Sequence, residues 1–168
     1  MYFGIISIRY ICARHRMPGH PADGQLWRPS AYSGPVRSQR QMVDYALQRR
    51  ALLADVHSGK VGVAEVCDAS PYLLRAARFH GEPSDVTCPV CRKERLTLVS
   101  WVFGESLGNA AGSARAAQEI EQLANLHPDF SVYVVEVCRT CSWNHLVLSY
   151  VMGTGDAPAG RRRRTAAE

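Results

Sequence analysis

The stretch TCPVCRKERL, residues 87–96, places two cysteines three positions apart, just before an apolar segment begins. A second pair with the same spacing lies in VCRTCSW, residues 137–143. Zinc in a structural site binds four ligands as a tetrahedron, with thiolate sulfur at about 2.3 Å, and a two-residue gap lets one tight turn supply two sulfurs. The two pairs therefore predict one zinc site in the sequence form of a zinc ribbon, with the candidate ligands Cys88, Cys91, Cys138 and Cys141.

The separation of the pairs, and the residue after each pair, differ from those of many zinc ribbons. Forty-six residues lie between Cys91 and Cys138, which leaves room for a loop and a helix between the strands. Many ribbons carry glycine after the second cysteine of each turn, whereas Arg92 and Ser142 stand there in this chain. We expect both turns to lead directly into antiparallel strands, which would bring the two pairs together.

The same thiols also allow a redox interpretation. A reactive dithiol needs a thiol with a lowered pKa, which a helix N-terminus commonly supplies. Both pairs lead into predicted strands, so this source of activation is missing, and a redox-responsive zinc thiol sensor is kept as an alternative function. Of the two other cysteines, Cys67 is interpreted as a buried packing residue, and Cys12 falls in a segment predicted to be disordered.

The sequence favours a protein that is not an enzyme. Four thiolates fill the coordination shell of zinc and leave no open position for water. His80 and His145 lie near enough in the sequence to replace a ligand, but the pattern does not require them, and we interpret both as surface histidines. We find no phosphate-binding glycine loop, no metal-hydrolase helix motif and no nucleophile paired with a base.

Composition and periodicity divide the chain into four segments. The first is predicted to be a disordered extension, since most of it is rich in Gly, Pro and Arg without a period. Val36 is a candidate GTG start codon, in which case residues 1–35 are not translated. The four segments are a disordered extension (1–36), a helical unit (37–82), a zinc-ribbon domain (83–153) and a disordered Arg-rich tail (154–168).

Three helices are predicted in the helical unit. The first is expected to begin at Ser38, which forms a capping-box pattern with Gln41, and to end before Gly59. A short second helix is expected in VAEVCDA. The third is capped by Ser70, has proline at its first position and ends before Gly81.

The second half of the chain predicts an antiparallel sheet with one inserted helix. RLTLVSWVF favours a strand over Leu96–Phe103, FSVYVVEV a strand ending at Cys138, and HLVLSYVMG a third strand. The helix is expected in SARAAQEIEQLANLH, with Ser113 as its N-cap. The predicted fold class is therefore α+β, an N-terminal helical unit packed on an antiparallel zinc-ribbon-like sheet with an inserted helix.

The net charge of the chain lies at its ends. The formal charge is +5, yet residues 37–152 hold twelve basic and twelve acidic residues. The apolar start, MYFGIISIRYIC, is interrupted by Arg9 and is too short for a signal peptide or for a membrane span of about 20 apolar residues. We therefore expect a cytoplasmic protein without a membrane segment, in which paired cysteines bind metal more often than they form disulfides.

Two groups of basic residues are candidate nucleic-acid contacts. VAEVCDASPYLLRAARF is similar to a helix-turn-helix in which Arg75 and Arg78 face phosphate or bases, although its turn lacks the usual glycine. Arg92, Lys93 and Arg95 form a basic tip after the first cysteine pair. A packing helix and a solvated loop are the plain interpretations, and the neutral centre supplies little electrostatic attraction. A DNA-binding regulator is therefore a second alternative function.

Four segments carry a resemblance to a known family: RSQRQMVDYALQRRALLADV, VCDASPYLLRAARFHGEP, CPVCRKE and VYVVEVCRTCSWNHLVLSYVMG. From Arg37 to about Gly153 the chain resembles an actinobacterial, zinc-ribbon-like family described as a domain of unknown function. The resemblance implies the fold and the metal site, and a start near Val36, but no activity.

The leading hypothesis is a non-enzymatic zinc-ribbon binding or adaptor protein that contacts the transcription or translation machinery. RNA polymerase and the ribosome are the natural partners, by analogy with other ribbon proteins alone. Zinc binding would supply folding free energy that a small sheet does not obtain from its own core.

Overall fold

The computed structural model describes residues 39–155, which form an α+β fold. The predictions for the extension and the Arg-rich tail, including Ser38 and the Val36 start, lie outside these residues. In chain order the elements are β1 (Arg40–Asp44), α1 (Ala46–His57), α2 (Val63–Val66), α3 (Pro71–His80), β2 (Glu82–Thr87), β3 (Arg95–Phe103), a 3-10 helix (Glu105–Ala110), β4 (Ser113–Arg115), α4 (Ala117–Leu126), β5 (Phe130–Val137) and β6 (Asn144–Met152).

The strands form one antiparallel sheet in the order β1-β6-β5-β3-β2, with the short β4 also paired to β3. The central strand β3 is buried at seven successive positions, from Leu96 to Val102, so both of its faces are covered. A nearly continuous apolar run is typical of such a strand. The three predicted strands correspond to β3, β5 and β6, and α4 is the predicted inserted helix between β3 and β5.

Helix α3 packs on the sheet as its sequence predicts. It contacts β3, β4 and β5, and its buried residues are Leu73, Ala76 and Ala77. The Oγ atom of Ser70 accepts a hydrogen bond from the backbone N–H of Leu73 at 3.2 Å, which confirms the predicted N-cap. At the other end, a Cβ atom on Gly81 would clash with the carbonyl oxygen of Ala77, so only glycine fits where the chain turns into β2.

The prediction that the first helix begins at Ser38 is wrong. Residues Arg40–Asp44, which include Gln41, form the edge strand β1, and α1 begins at Ala46. Every residue of β1 is exposed, so the apolar residues there do not form the buried stripe of a helix. Pairing with β6 satisfies backbone groups along the sheet edge, and this tertiary contact overrides the helical pattern. The helix ends before Gly59, as predicted.

Two further elements differ from the sequence predictions. Ser113 begins the strand β4 instead of capping a helix, and α4 begins four residues later, at Ala117. The strand β2 was not predicted, because its sequence EPSDVT contains proline and acidic residues that are uncommon in strands. It lies at the edge of the sheet, where the missing N–H of Pro83 is tolerated.

One end of the sheet carries a separate cluster of buried side chains around the cysteine pairs. Its members are Val66, Cys88, Leu96, Cys138 and Trp143. Leu52, Leu53 and Val56 of α1 pack against this cluster and are partly buried. Within residues 39–155, no helix has the length and apolar character needed to cross a membrane.

Candidate metal centre

The four predicted ligands converge where β3 and β6 begin. The Sγ atoms of Cys88 and Cys141 are 3.6 Å apart, as are those of Cys91 and Cys138. All four sulfur atoms lie within 4.8 Å of one another. A disulfide bond is about 2.0 Å long, whereas a tetrahedron with its centre about 2.3 Å from each sulfur has edges of about 3.8 Å. These four cysteines are therefore positioned to hold one metal ion.

Both cysteine pairs are held by the same type of backbone turn. The N–H of the residue after the second cysteine donates to the carbonyl oxygen of the first: Arg92 to Cys88 at 3.1 Å, and Ser142 to Cys138 at 2.9 Å. Each turn then leads into a strand, as predicted, so the strands fix where the thiols point.

The residues after the two pairs explain how the turns form without glycine. Arg92 has φ of 56° and Ser142 has φ of 65°, so both adopt the left-handed conformation that glycine favours. This conformation costs a residue with a Cβ atom about 1–2 kcal/mol. The backbone turn of each cysteine pair is therefore retained at some cost in stability.

Glu94 links the two turns. Its Oε2 atom accepts a 2.6 Å hydrogen bond from Thr140 Oγ1, and its Oε1 atom accepts bonds from Arg139 Nε and Nη2 at 3.1 and 2.8 Å. The hydrogen bond from Thr140 and the charge of Arg139 lower the pKa of Glu94. Sequence reasoning missed this carboxylate; the available signal was an acidic residue after one pair and an Arg-Thr dipeptide inside the other.

The thiols of the cluster differ in how readily they ionise. A hydrogen bond from the backbone of Lys93 lowers the pKa of Cys91 to about 7. Burial raises the pKa of Cys141 to about 12 and raises that of Cys138 as well. Metal ions bind the deprotonated sulfur, so metal binding releases protons. Cys91 is therefore more readily deprotonated near neutral pH than Cys138 or Cys141.

A buried polar contact joins the surroundings of the four cysteines to α1. The indole of Trp143 is fully buried and donates from Nε1 to Glu136 Oε1 at 2.9 Å. Arg49 Nε donates to the same oxygen at 2.6 Å. Burial raises the pKa of Glu136, and the hydrogen bond and charge of Arg49 act against that rise. The carboxylate thus receives two donors, one from the helix and one beside the second cysteine turn.

The two histidines considered in the sequence lie in different surroundings. The ring of His145 stacks on Trp143, with centroids 6.1 Å apart and planes 8° from parallel. Burial and the positive charge of Arg49 lower the pKa of His145 to about 4. The prediction of a surface histidine holds only in part for His145, which is half-buried with its Nδ1 atom covered, whereas His80 is exposed as predicted.

A fifth thiol adjoins the four candidate ligands. Cys67 follows α2 and packs against the cluster that contains Cys88 and Cys138. Burial raises the pKa of its thiol. The prediction that Cys67 is a buried packing residue is confirmed for its packing but not for its burial, since the residue is only half-buried beside the four cysteines. Cys12 lies outside the described residues.

The candidate nucleic-acid contacts lie on α3 and at the first cysteine turn. Arg75 and Arg78 are exposed on α3, while Arg92 and Lys93 are exposed at the turn. Arg95 forms an ion pair with an exposed acid of β2, Asp85 Oδ1, at 3.2 Å. The helix before α3 in the proposed helix-turn-helix, α2, has only four residues. Contact between these residues and nucleic acid stays a prediction.

Comparison with known proteins identifies relatives but no activity. A family model described as a family of unknown function, DUF5318, matches residues 36–166. Uncharacterized proteins Rv0049 of Mycobacterium tuberculosis (H37Rv) and Mb0050 of Mycobacterium bovis are each 69% identical over 111 residues, which cover 66% of this chain and 81% of each relative. These mycobacterial relatives agree with the predicted actinobacterial family. No solved structure matches the chain significantly.

Proposed function

We propose that this chain, which belongs to the family of unknown function DUF5318, is a non-enzymatic binding protein of the cytoplasm whose fold is stabilised by zinc. One observation carries the proposal: two turns far apart in the sequence bring four thiols within 4.8 Å of one another. The proposed ligands are Cys88, Cys91, Cys138 and Cys141.

The donor atoms are the reason for proposing zinc. A set of four sulfurs arranged as a tetrahedron suits zinc or an iron–sulfur centre, whereas magnesium and calcium prefer oxygen. Zinc has no redox chemistry of its own and is the usual ion of closed four-cysteine sites. When bound, it would hold the two turns together and add its binding free energy to that of folding.

A structural role follows from the number of thiolates. Four thiolates complete the zinc shell and leave no position for a substrate or water. Val66, Leu96 and Trp143 pack as a core next to the sulfurs. The carboxylate of Glu94, which accepts from Cys138 Sγ at 3.8 Å, is held by hydrogen bonds from Arg139 and Thr140. Glu94 and the backbone turns orient the thiols. The proposed activity is therefore binding, with the ion maintaining the shape of the binding protein.

Metal analysis of the full-length chain, purified under reducing conditions, tests the proposal. We expect one zinc per chain by mass spectrometry of the metals, and loss of zinc in the Cys91→Ser variant. Cys67→Ser is the matched control, since it removes a thiol from the same cluster without removing a proposed ligand. Absence of stoichiometric zinc in the unaltered chain, or equal zinc content in both variants, would overturn the proposal.

The proposed partner class is a protein or nucleoprotein machine. The analogy with ribbon proteins makes RNA polymerase and the ribosome the first candidates. The exposed Arg92 and Lys93 next to the metal centre support this, because basic side chains at the tip of a rigid turn are free to meet a partner. We expect the tagged chain to co-purify with one of these machines. The double variant Arg92→Glu, Lys93→Glu should reduce the amount that co-purifies. Retention of either machine by the double variant at the level of the unaltered chain would contradict this assignment.

The position of Cys67 supports a second candidate function, a redox-responsive thiol sensor. Oxidation of Cys67 and the ligand thiolate Cys141 by hydrogen peroxide would form one disulfide, with two electrons from the sulfurs, the proton of Cys67 and one proton from solvent converting the peroxide to two molecules of water. Loss of Cys141 from the ligand set would weaken metal binding. Cys67 packs against the same cluster as Cys141 and lies outside the proposed ligand set, so it is the candidate partner for this disulfide.

Mild peroxide treatment distinguishes the two candidates. A sensor releases zinc, forms a Cys67–Cys141 disulfide detectable by peptide mass spectrometry, and rebinds zinc after reduction. In Cys67→Ser, release should be slower and poorly reversible, since the nearby partner thiol is missing. Unchanged zinc content in the unaltered chain after peroxide treatment excludes the sensor and leaves the structural role intact.

A further inference from the structure

Helix α3 presents two exposed aromatic rings on its outer side. Tyr72 is 55% exposed and Phe79 is 72% exposed, although both belong to a helix that packs firmly on the sheet through its other side. The ring of Tyr72 also contacts the buried Trp101, with centroids 5.3 Å apart. This contact holds Tyr72 in place, so little conformational freedom would be lost when a partner covers it.

Two arginines complete the same face. The guanidinium of Arg75 lies 5.7 Å from the centroid of the Tyr72 ring, and that of Arg78 lies 5.8 Å from the centroid of Phe79. Within residues 39–155 neither arginine forms an ion pair with an acid. The sequence of α3, PYLLRAARFH, contains no acidic residue. We define the α3 face as Tyr72, Arg75, Arg78 and Phe79.

We propose that the α3 face binds an acidic segment of another protein that also carries apolar side chains. This inference rests on the proposed binding function and adds its surface and the chemistry of its partner. Exposed rings offer apolar area, and the guanidinium groups above them offer paired donors for carboxylates. Tyrosine and arginine are also among the residues that most often dominate the binding energy of protein interfaces.

The charges of the chain argue for an external occupant. Residues 1–36 carry four arginines and one aspartate, and residues 153–168 carry four arginines and two acids, so both ends of the chain are basic. Either end would repel Arg75 and Arg78. A second copy joined through the same face would place these arginines against each other. An acidic partner has the complementary charge.

The neutral centre of the chain favours a protein over a nucleic acid as the occupant of the α3 face. Two arginines can neutralise about two phosphates, and the attraction gained from counterion release grows with each phosphate contacted. Residues 37–152 contain equal numbers of basic and acidic residues, so they add no wider positive field. Binding of single-stranded nucleic acid, with its bases stacked on the two rings, is therefore the less favoured alternative.

A random peptide display library, selected on the immobilised full-length chain, is the probe. We expect the enriched peptides to combine several acidic residues with aromatic or large apolar ones. Their affinity, measured by fluorescence anisotropy, should fall by at least about tenfold in the double variant Arg75→Glu, Arg78→Glu. Phe79→Ala should weaken binding by a smaller factor, and binding should weaken as salt rises.

Arg50→Glu is the matched control, because Arg50 is exposed on α1 and has no ion pair among the described residues. It should leave the affinity unchanged. The proposal would be overturned if Arg50→Glu lowered the peptide affinity as much as the double variant does. It would also be overturned if the enriched peptides lacked acidic residues, or if labelled oligouridine bound and no peptide did. Zinc content is measured on the same samples. If the zinc content is normal but no peptide binds, only the proposal for the α3 face is rejected. If zinc is missing, the proposed function is rejected.

Discussion

Arg49 in α1 donates a 2.6 Å hydrogen bond from Nε to Oε1 of Glu136 in β5. Glu136 is only 3% exposed, and the same oxygen accepts the indole N–H of Trp143 beside the second cysteine turn. None of the residues of α1 is fully buried, so apolar packing alone holds this helix weakly. The polar contact therefore attaches α1 to the part of the sheet that carries the four clustered cysteines.

Replacement of Arg49 by alanine should lower the free energy of unfolding by about 3 kcal/mol, because Glu136 would remain buried without its charge partner. Urea unfolding of the metal-loaded chain measures this. Arg50→Ala is the control, since the neighbouring arginine is exposed and forms no ion pair among the described residues, and its effect should stay within about 0.5 kcal/mol. Equal effects of the two substitutions would contradict the role given to the Arg49–Glu136 pair.

The stacked ring of His145 should make stability depend on pH. Burial and Arg49 lower its pKa to about 4 in the folded chain, from an ordinary value of 6.5. Between these values the unfolded chain binds more protons, so this histidine's contribution to stability is present above pH 6.5 and is lost as the pH falls toward 4.

His145→Phe keeps a ring over Trp143 and removes the titrating group. The stability difference between this variant and the unaltered chain should be constant above about pH 7 and should grow in favour of the variant as the pH falls. Both proteins lose metal as the pH falls, so taking the difference between their unfolding free energies at each pH removes this shared effect. A difference that stays constant down to pH 4 contradicts the assignment.

The sequence predicted the elements whose signals are local. Ser70 and Gly81 bound α3 as expected, because a cap and a close backbone approach need particular residues at those positions. The apolar runs of β3 and β5 were equally informative, since well-covered strands are rich in apolar residues, and the buried polar residues there are Thr97, Ser100 and Glu136. The spacing of the cysteines identified the thiols that the structure brings together.

The remaining features depend on contacts between distant parts of the chain. β1 forms because β6 has an edge with which it can pair, and no periodicity within Arg40–Asp44 indicates this pairing. The hydrogen bond between Glu94 and Arg139 joins residues 45 positions apart in the sequence. That between Arg49 and Glu136 joins residues 87 positions apart. Polar contacts of this kind leave no pattern in either segment alone, so a single sequence gives no means of pairing them.

The contact of Glu94 with both turns should strengthen metal binding. Glu94→Gln keeps the shape of the side chain but removes the charge that Arg139 and Thr140 meet, so the two turns should be held less firmly. We expect zinc affinity to fall by about 10–100-fold, as for other outer-shell partners of metal ligands. Competition with a coloured zinc chelator measures the change.

Glu121→Gln is the control for this measurement, since Glu121 is exposed on α4 and forms no ion pair among the described residues. Its zinc affinity should match that of the unaltered chain. Thr140→Val removes one of the hydrogen bonds to Glu94 and should give an intermediate affinity. Identical affinities for Glu94→Gln and Glu121→Gln would show that the carboxylate does not support the metal centre.

The residue after each cysteine pair adopts the left-handed conformation, so glycine at that position should stabilise the protein. Arg92 has φ of 56°, a conformation that costs a residue with a Cβ atom about 1–2 kcal/mol. Glycine avoids this cost but gives the unfolded chain more freedom, which offsets about 0.4–1 kcal/mol of the gain. Arg92→Gly should therefore raise the free energy of unfolding by roughly 0.5–1 kcal/mol.

Arg92→Ala separates the backbone effect from the loss of the side chain. Alanine also lacks the guanidinium but keeps the Cβ atom, so it should bring no gain, and Arg92→Val should reduce stability because a β-branched residue fits this conformation worst. Ser142→Gly should repeat the gain in the second turn, where φ is 65°. Urea unfolding at saturating zinc compares the four variants. If alanine and glycine at position 92 gave the same stability, the left-handed turn would not be the source of the cost.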